Sequence, residues 1–320
     1  MSNWRNMLMT KRALSPLTFT AQTANATITL NVQDQYDNLV TSGLLYRIDK
    51  NSGWRRYYVG NPITLNSIGD CVQFMNTETK LSLDPYVRFY FSMTGRIAAS
   101  GSIQSMCNWV DYAPYYAYCR LFDGCTSLTT APSLTARSIR GYSYYKMFLG
   151  CTALKVAPDI TSELEMIEAP AYHCCASMFE GCTSLVKAPL LPTNRVQEYC
   201  YSNMFNGCTS LVTAPVLPCL SLTTGCYSGM FKGCSSLINA PELPATDMDS
   251  ECYADMFSGC AKLQAIKVGF SSWYWTGTYG FSSGWMTGVS SVGTFYKKSA
   301  LAVKRGVDYV PEGWTVVDID

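Results

Sequence analysis

The amino-acid sequence predicts a mixed α/β chain: a solenoid of about six 26-residue coils, preceded by an antiparallel β-sandwich-like domain and closed by a small β cap. Three observations predict it. A Gly-Cys pair recurs in phase, each recurrence joins a helix-like stretch to an extended one, and the residues ahead of the repeats form short alternating runs.

Residues 1–15 read as an N-terminal arm. Residues 16–106 contain LTFTAQ, ATITLNV, LLYRID, WRRYYVG, PITLN, CVQFMN and VRFYFSM, separated by Asn, Asp, Gly and Pro. Short β-branched and aromatic runs with such punctuation are the pattern of an antiparallel sandwich.

Residues 107–268 are the solenoid. The Gly-Cys cysteines are Cys125, Cys151, Cys182, Cys208, Cys234 and Cys260, at steps of 26, 31, 26, 26 and 26. Three residues before them stand Phe122, Phe148, Phe179, Phe205, Phe231 and Phe257. Three residues after them stand Leu128, Leu154, Leu185, Leu211, Leu237 and Leu263, and an Ala-Pro pair follows in all but the last. In CYSNMFNGCTSLVTAPVLP (200–218), YSNMFNGC has apolar residues at helical spacing and then a Gly, the signature of a short helix stopped at a left-handed cap. SLVTAPVLP alternates as a short strand does. A Pro in every coil removes the same ladder hydrogen bond at each level, so very short strands are expected, in coils stacked about 4.8 Å apart. One coil cannot bury its Phe, Leu and Met alone, so stability must come from stacking. The longer step lies within TSELEMIEAPAYHCCASM and is read as an insertion bulging from one face. Residues 269–320 form the cap, with GTFYKK and GWTVVDI as strands beside the aromatic loop SSWYWTGTYGFSSGW.

Charged residues make up 15% of the chain and the net charge is +1, with basic pairs scattered. A nucleic-acid binder wants a clustered basic face, so no nucleic-acid partner is expected. No run approaches the roughly 18 apolar residues of a membrane span, so no insertion is expected. The opening MSNWRNMLMTKRALSPLTF has no signal-like apolar stretch, from which export by a Sec route is not expected.

Catalytic chemistry has little to build on. The one histidine, His173, lies in the longer step and reads as an exposed loop residue. Phosphate-loop, dinucleotide and zinc-protease motifs are missing from the sequence, and Glu163/Glu165 and Asp247/Asp249 read as solvated acids rather than a glycosidase pair. No catalytic residue, cofactor or metal is expected. The fifteen cysteines lack the close pairs of a zinc site, and equivalent cysteines one coil apart point the same way, a poor geometry for disulfides. They read best as a ladder of small buried thiols.

Two groups remain as ligand-binding candidates. Trp273, Tyr274, Trp275, Tyr279, Phe281 and Trp285 break the repeat period and sit among Ser, Gly and Thr, as aromatics on recognition loops do; a lid over the last coil is the competing reading. Lys155, Asp159, Lys187, Asn239 and Glu242 occupy positions the repeat lets vary, where repeat proteins meet partners. The column Tyr118, Tyr144, Tyr201, Tyr227 and Tyr253, interrupted by Cys175, reads as packing between coils.

The repeated MF-x-GC-T-S-L-x-x-A-P-x-L-P resembles the BspA-type leucine-rich repeat of surface proteins in gut Bacteroidales and of bacteriophages of those bacteria. The resemblance implies a leucine-rich-repeat solenoid, adhesion and ligand binding without one shared site. With no export signal in view, the expectation is a non-enzymatic virion component, a fibre, decoration or receptor-binding protein. It would assemble in the host cytoplasm as a homo-oligomer, a trimer for instance, with other virion proteins and a bacterial surface glycan or protein as partners. The alternatives are a bacterial cell-surface adhesin and, from another class, a polysaccharide-acting enzyme.

Overall fold

The computed structural model describes residues 15–33, 41–160, 171–191, 195–273 and 280–319. The N-terminal strands are β1 (Leu17–Ala21), β2 (Ala26–Gln33), β3 (Leu44–Ile48), β4 (Arg55–Arg56), β5 (Ile63–Leu65), β6 (Cys71–Asn76), β7 (Arg88–Thr94) and β8 (Ile97–Ser100). β5, β2 and β7 form one antiparallel sheet, in which alternate residues Ala26, Ile28 and Leu30 of β2 turn inward. The facing sheet has β1 between β6 and β8, with β3 and β4 beyond β6. Phe19 of β1 and Phe74 of β6 meet Phe91 of β7 edge-on, at 4.8 and 5.4 Å between ring centres. Burying such rings is the main favourable term in a layer of this size.

The core does not end where the repeats begin. After β9 (Tyr112–Ala113), strand β10 (Leu128–Thr130) of the first coil pairs in parallel with β8 and so extends the sandwich sheet. β11 (Ser138–Ile139) pairs in parallel with β9. Phe91 stacks on Phe122 at 5.4 Å, with the planes 11° apart. Its amide bonds to the carbonyl of Leu121, and its carbonyl accepts from the Cys125 thiol. Phe91 is therefore the rung before the first repeat.

The expectation of a mixed α/β fold is overturned. Among the described residues there is no α-helix; the one helical element is a 3-10 segment, Ile103–Cys107, capped by Ser102. The stretch read as a helix is a run of tight turns. Every fourth residue has positive φ: Tyr199 (54°), Asn203 (54°) and Gly207 (73°) in one coil, Gly225, Gly229 and Gly233 in the next. A left-handed residue in each turn breaks the i to i−4 ladder an α-helix requires. The amides of Cys200, Ser202, Met204, Asn206 and Cys208 instead reach back three residues. The amides between them, of Tyr199, Tyr201, Asn203, Phe205 and Gly207, cross to the carbonyls of Thr224, Cys226, Ser228, Met230 and Lys232 in the following coil. Local turns and the stack thus share the backbone donors, and a lone coil would leave half of them unpaired.

Side chains form columns on this spiral. The Phe rings run from Phe122 through Phe148, Phe179, Phe205 and Phe231 to Phe257 at 5.2–5.8 Å, nearly parallel. The Gly-Cys thiols donate backwards: Cys151, Cys182, Cys208, Cys234 and Cys260 to the carbonyls of Phe122, Phe148, Phe179, Phe205 and Phe231, at 3.0–3.2 Å. No disulfide links any of the fifteen cysteines, and all but Cys71 are buried. Cys174 and Cys175 keep their sulfurs 3.6 Å apart. Burial pushes the Cys125, Cys182 and Cys260 thiols up to about 12, so they stay protonated and unreactive. Dithionitrobenzoate is accordingly expected to modify Cys71 rapidly in the native protein and all fifteen thiols after denaturation without reductant. Several fast native thiols, or far fewer than fifteen on denaturation, would contradict the buried columns.

On the opposite side the coils touch through single-residue parallel bridges, Val156 to Lys187, Lys187 to Thr213 and Asn239 to Ala265. Regular pairing returns where Ala-Pro is lost: β12 (Ala265–Lys267), β13 (Thr294–Lys297) and β14 (Thr315–Asp318) form a parallel sheet. β13 belongs to a seventh, degenerate coil. Tyr253, Phe257 and Gly259 donate to the carbonyls of Phe281, Trp285 and Thr287 as earlier coils donate to theirs, and Gly288 lies over Gly259.

Candidate functional site

The sequence-expected aromatic loop is divided by the structure. Trp273, Phe281 and Trp285 are buried, and Trp285 lies on Tyr253 and Phe257, 6.2 and 6.4 Å from their rings. Both indole N–H groups are consumed inside, Trp273 by the carbonyl of Ala302 and Trp285 by that of Tyr309. These three rings close the columns instead of facing solvent, because the last coil would otherwise expose its Tyr and Phe faces. Tyr274, Trp275 and Tyr279 lie outside the described residues.

The variable positions share the bridge side of the stack. Lys155, Asp159, Lys187, Asn239 and Glu242 are all exposed there. The Asp159 carboxylate accepts from the amide of Leu190 at 2.9 Å, and Glu242 pairs with Lys267 at 2.8 Å. Exposed Val156, Val186, Val212 and Ile238 interleave with them. Asp247 and Asp249 are held by hydroxyls of the preceding coil, Ser221 at 2.8 Å and Thr224 at 3.0 Å, as intercoil braces. Glu163 and Glu165 lie outside the described residues.

The turn side carries a feature that the sequence reading missed. Tyr116, Tyr142, His173 and Tyr199 occupy the same place in four successive coils, nine residues ahead of the Gly-Cys cysteine. Their rings stack at 4.9, 5.0 and 4.9 Å with interplanar angles of 7–15°. All four are partly exposed, unlike Tyr118, Tyr144, Tyr201, Tyr227 and Tyr253, which fill a buried column. Each exposed rung has positive φ (52–57°), a corner from which the ring projects along the outside. Tyr172 meets Tyr142, His173 and Tyr199 edge-on at 5.7, 4.2 and 6.3 Å, and Tyr145 meets Tyr142 at 5.6 Å. Beyond Tyr199 the column stops over bare backbone: a Cβ on Gly225 would lie 2.3 Å from the Tyr199 ring.

His173 is therefore a rung and not a loop residue. Burial lowers its pKa, and its Nδ1 is buried without a hydrogen-bond partner, so the imidazole is neutral at neutral pH. Burial first, and then the charge and hydrogen bond of Tyr172, push the Tyr142 phenol up to about 12. The column is an uncharged, rigid strip whose ring faces are spent on one another and whose edges and polar tips face out. Tyr side chains supply large contact area at small entropic cost and a hydroxyl for orientation. Such a strip can bind. No group of three or more His, Cys, Asp or Glu that could hold a metal occurs among the described residues, and no helix there is long and apolar enough to cross a membrane.

No family model matches the chain, and no curated protein matches it. Among solved structures it is similar to a leucine-rich repeat protein from Bacteroides ovatus, at 16% identity and a TM-score of 0.25, over 88% of this chain and 76% of that one. That likeness is too slight to carry an argument; the repeat architecture stands on the columns and hydrogen bonds of the chain itself.

Proposed function

We propose that the chain is a non-enzymatic binding protein of a bacteriophage virion, assembled in the host cytoplasm, whose turn side recognises the bacterial surface. The observation that carries the binding reading is the half-exposed column Tyr116–Tyr142–His173–Tyr199: the repeat spends its Phe, Cys, Leu and Met on the core, yet keeps four aromatic corners at the surface. Assembly in a reducing compartment accords with fifteen cysteines and no disulfide. In this arrangement the sandwich serves attachment or self-association, and the solenoid serves recognition.

Fluorescently labelled protein is expected to bind intact Bacteroidales cells, with binding reduced at least tenfold by Tyr142→Ala combined with Tyr199→Ala. Unchanged binding by that variant would remove the turn side from the function. Antibody against the chain should label phage particles released by lysis. Labelling of uninfected cell surfaces instead would replace the virion placement with that of an adhesin.

A further inference from the structure

Beside the aromatic column, at the N-terminal end of the stack, lies a group of three cations that outnumber the carboxylate paired with them, Asp123, among the described residues. Arg120 and Lys146 occupy equivalent corners of the first two coils, with φ of 55° and 54°, so their side chains leave the stack one coil apart. Arg88, at the start of β7, reaches the same place and donates from Nη1 to the carbonyl of Arg120 at 3.3 Å. Only 8% of Arg88 is exposed, yet its Nε has no hydrogen-bond partner. The Arg120 Nε is also buried without a hydrogen bond, and the Asp123 carboxylate lies 3.5 Å from it.

Like charges stacked one coil apart repel, and buried donors without acceptors are costly. Burial and then the charge of Arg120 lower the pKa of Arg88. Among the described residues, Asp123 acts on Arg88 and pairs with Arg120, while Asp84 acts on Tyr116. The far end of the stack handles the same corner differently. There Gly229 and Asp255 replace the cations, and Asp255 is paired with Lys232 at 3.0 Å. The excess positive charge thus coincides with the aromatic column. Lys146 Nζ lies 5.2 Å over the Tyr145 ring, which in turn meets Tyr142 edge-on.

We infer that Arg88, Arg120 and Lys146 form an anion subsite that fits the turn side to an acidic polysaccharide, the carboxylates or sulfates of the polymer meeting the cations and its hydroxyls meeting the phenols and imidazole of the column. A guanidinium pairs with carboxylate or sulfate oxygens through two parallel N–H donors, and the partly exposed Arg120 and Lys146 are the side chains such a polymer can reach, with the buried Arg88 charge behind them. Successive corners repeat at the coil spacing, which suits an extended repeating chain better than a single ion. This assignment rests on the binding reading above.

The test compares polygalacturonate with its methyl ester, the same pyranose backbone without charge, and adds chondroitin sulfate as a second acidic polymer. The full chain is expected to bind at least one acidic polymer ten times or more tightly than the ester, with affinity falling as NaCl is raised. Arg120→Ala with Lys146→Ala should remove that preference, while circular dichroism and melting stay near wild type because both side chains are partly exposed. Equal binding of acid and ester, or undiminished binding by the double variant, would overturn the subsite. So would failure to bind any of the three polymers by a protein that still binds cells, and in that case the broader binding reading survives. Failure on polymers and cells alike removes both.

Discussion

Phe205→Ala is expected to destabilise the protein by about 3–5 kcal/mol, the range for deleting a buried aromatic ring from a core that cannot collapse around the void. Phe205 is fully buried between Phe179 and Phe231, with ring centres 5.8 and 5.7 Å away and planes within 9° of parallel. Neither neighbour can move into the gap. Each is fixed by its own place in the column, and the backbone of each coil is bonded to the next through alternate amides. The Phe205 carbonyl also accepts from the Cys234 thiol at 3.2 Å, so a shift of the coil loosens a second column. A typical domain has only about 5–15 kcal/mol of stability in total, so the loss should be conspicuous. Urea denaturation followed by circular dichroism measures it, with Val216→Ala as control, since Val216 is 74% exposed and should change stability by less than about 0.5 kcal/mol. A Phe205→Ala loss below about 1 kcal/mol would mean that the column does not bear the stability assigned to it.

The period of this core is legible in the sequence, but its local geometry is harder to read. Six cysteines in phase, with Phe three before and Leu three after, require stacking whatever the backbone does between them. The helix expectation failed on a small numerical difference. Cys200, Met204 and Cys208 recur at intervals of four, whereas a helix face drifts at 3.6 residues per turn. An unbroken interval of four with glycine at 225, 229 and 233 signals repeated left-handed corners. The seventh coil is hidden in the sequence because Val289 stands where the repeated cysteine would be. The exposed aromatic column follows the same steps as the cysteines. It was obscured because one of its rungs is His173, next to the irregular step, and because a second, buried Tyr column lies two residues away. The cationic corner could not be read at all. Arg88 is 32 residues from Arg120, and the two meet where the sandwich joins the first coil, through the Phe91 amide on the Leu121 carbonyl and the pairing of β8 with β10.

That same pairing makes the junction between sandwich and solenoid the most sensitive point of the backbone. Gly101→Ala is expected to cost more than 4 kcal/mol, or to leave the chain insoluble. Gly101 has φ of +74°, which by itself penalises alanine by roughly 1–2 kcal/mol. The added Cβ would also stand 2.0 Å from the carbonyl oxygen of Pro16, 2.8 Å from its carbon and 2.9 Å from the carbonyl oxygen of Ser15. All three are backbone atoms, so no rotamer change relieves them. The strand entering β1 would have to withdraw, breaking the bond from the Ser102 amide to Ser15. The Gly101 carbonyl, which accepts from the amide and hydroxyl of Ser133 in the first coil, would be displaced with it. Gly124→Ala separates the two contributions, because Gly124 has nearly the same φ, +73°, but nothing within 4 Å of its added Cβ. Only the conformational penalty remains there, the same roughly 1–2 kcal/mol. Thermal melts and soluble yield of the two variants, measured together, decide the matter. Equal losses would mean that the entry to β1 yields freely and that the sandwich does not anchor the first coil; a much larger loss at Gly101 means that it does, with Phe91 as the rung on which the solenoid is built.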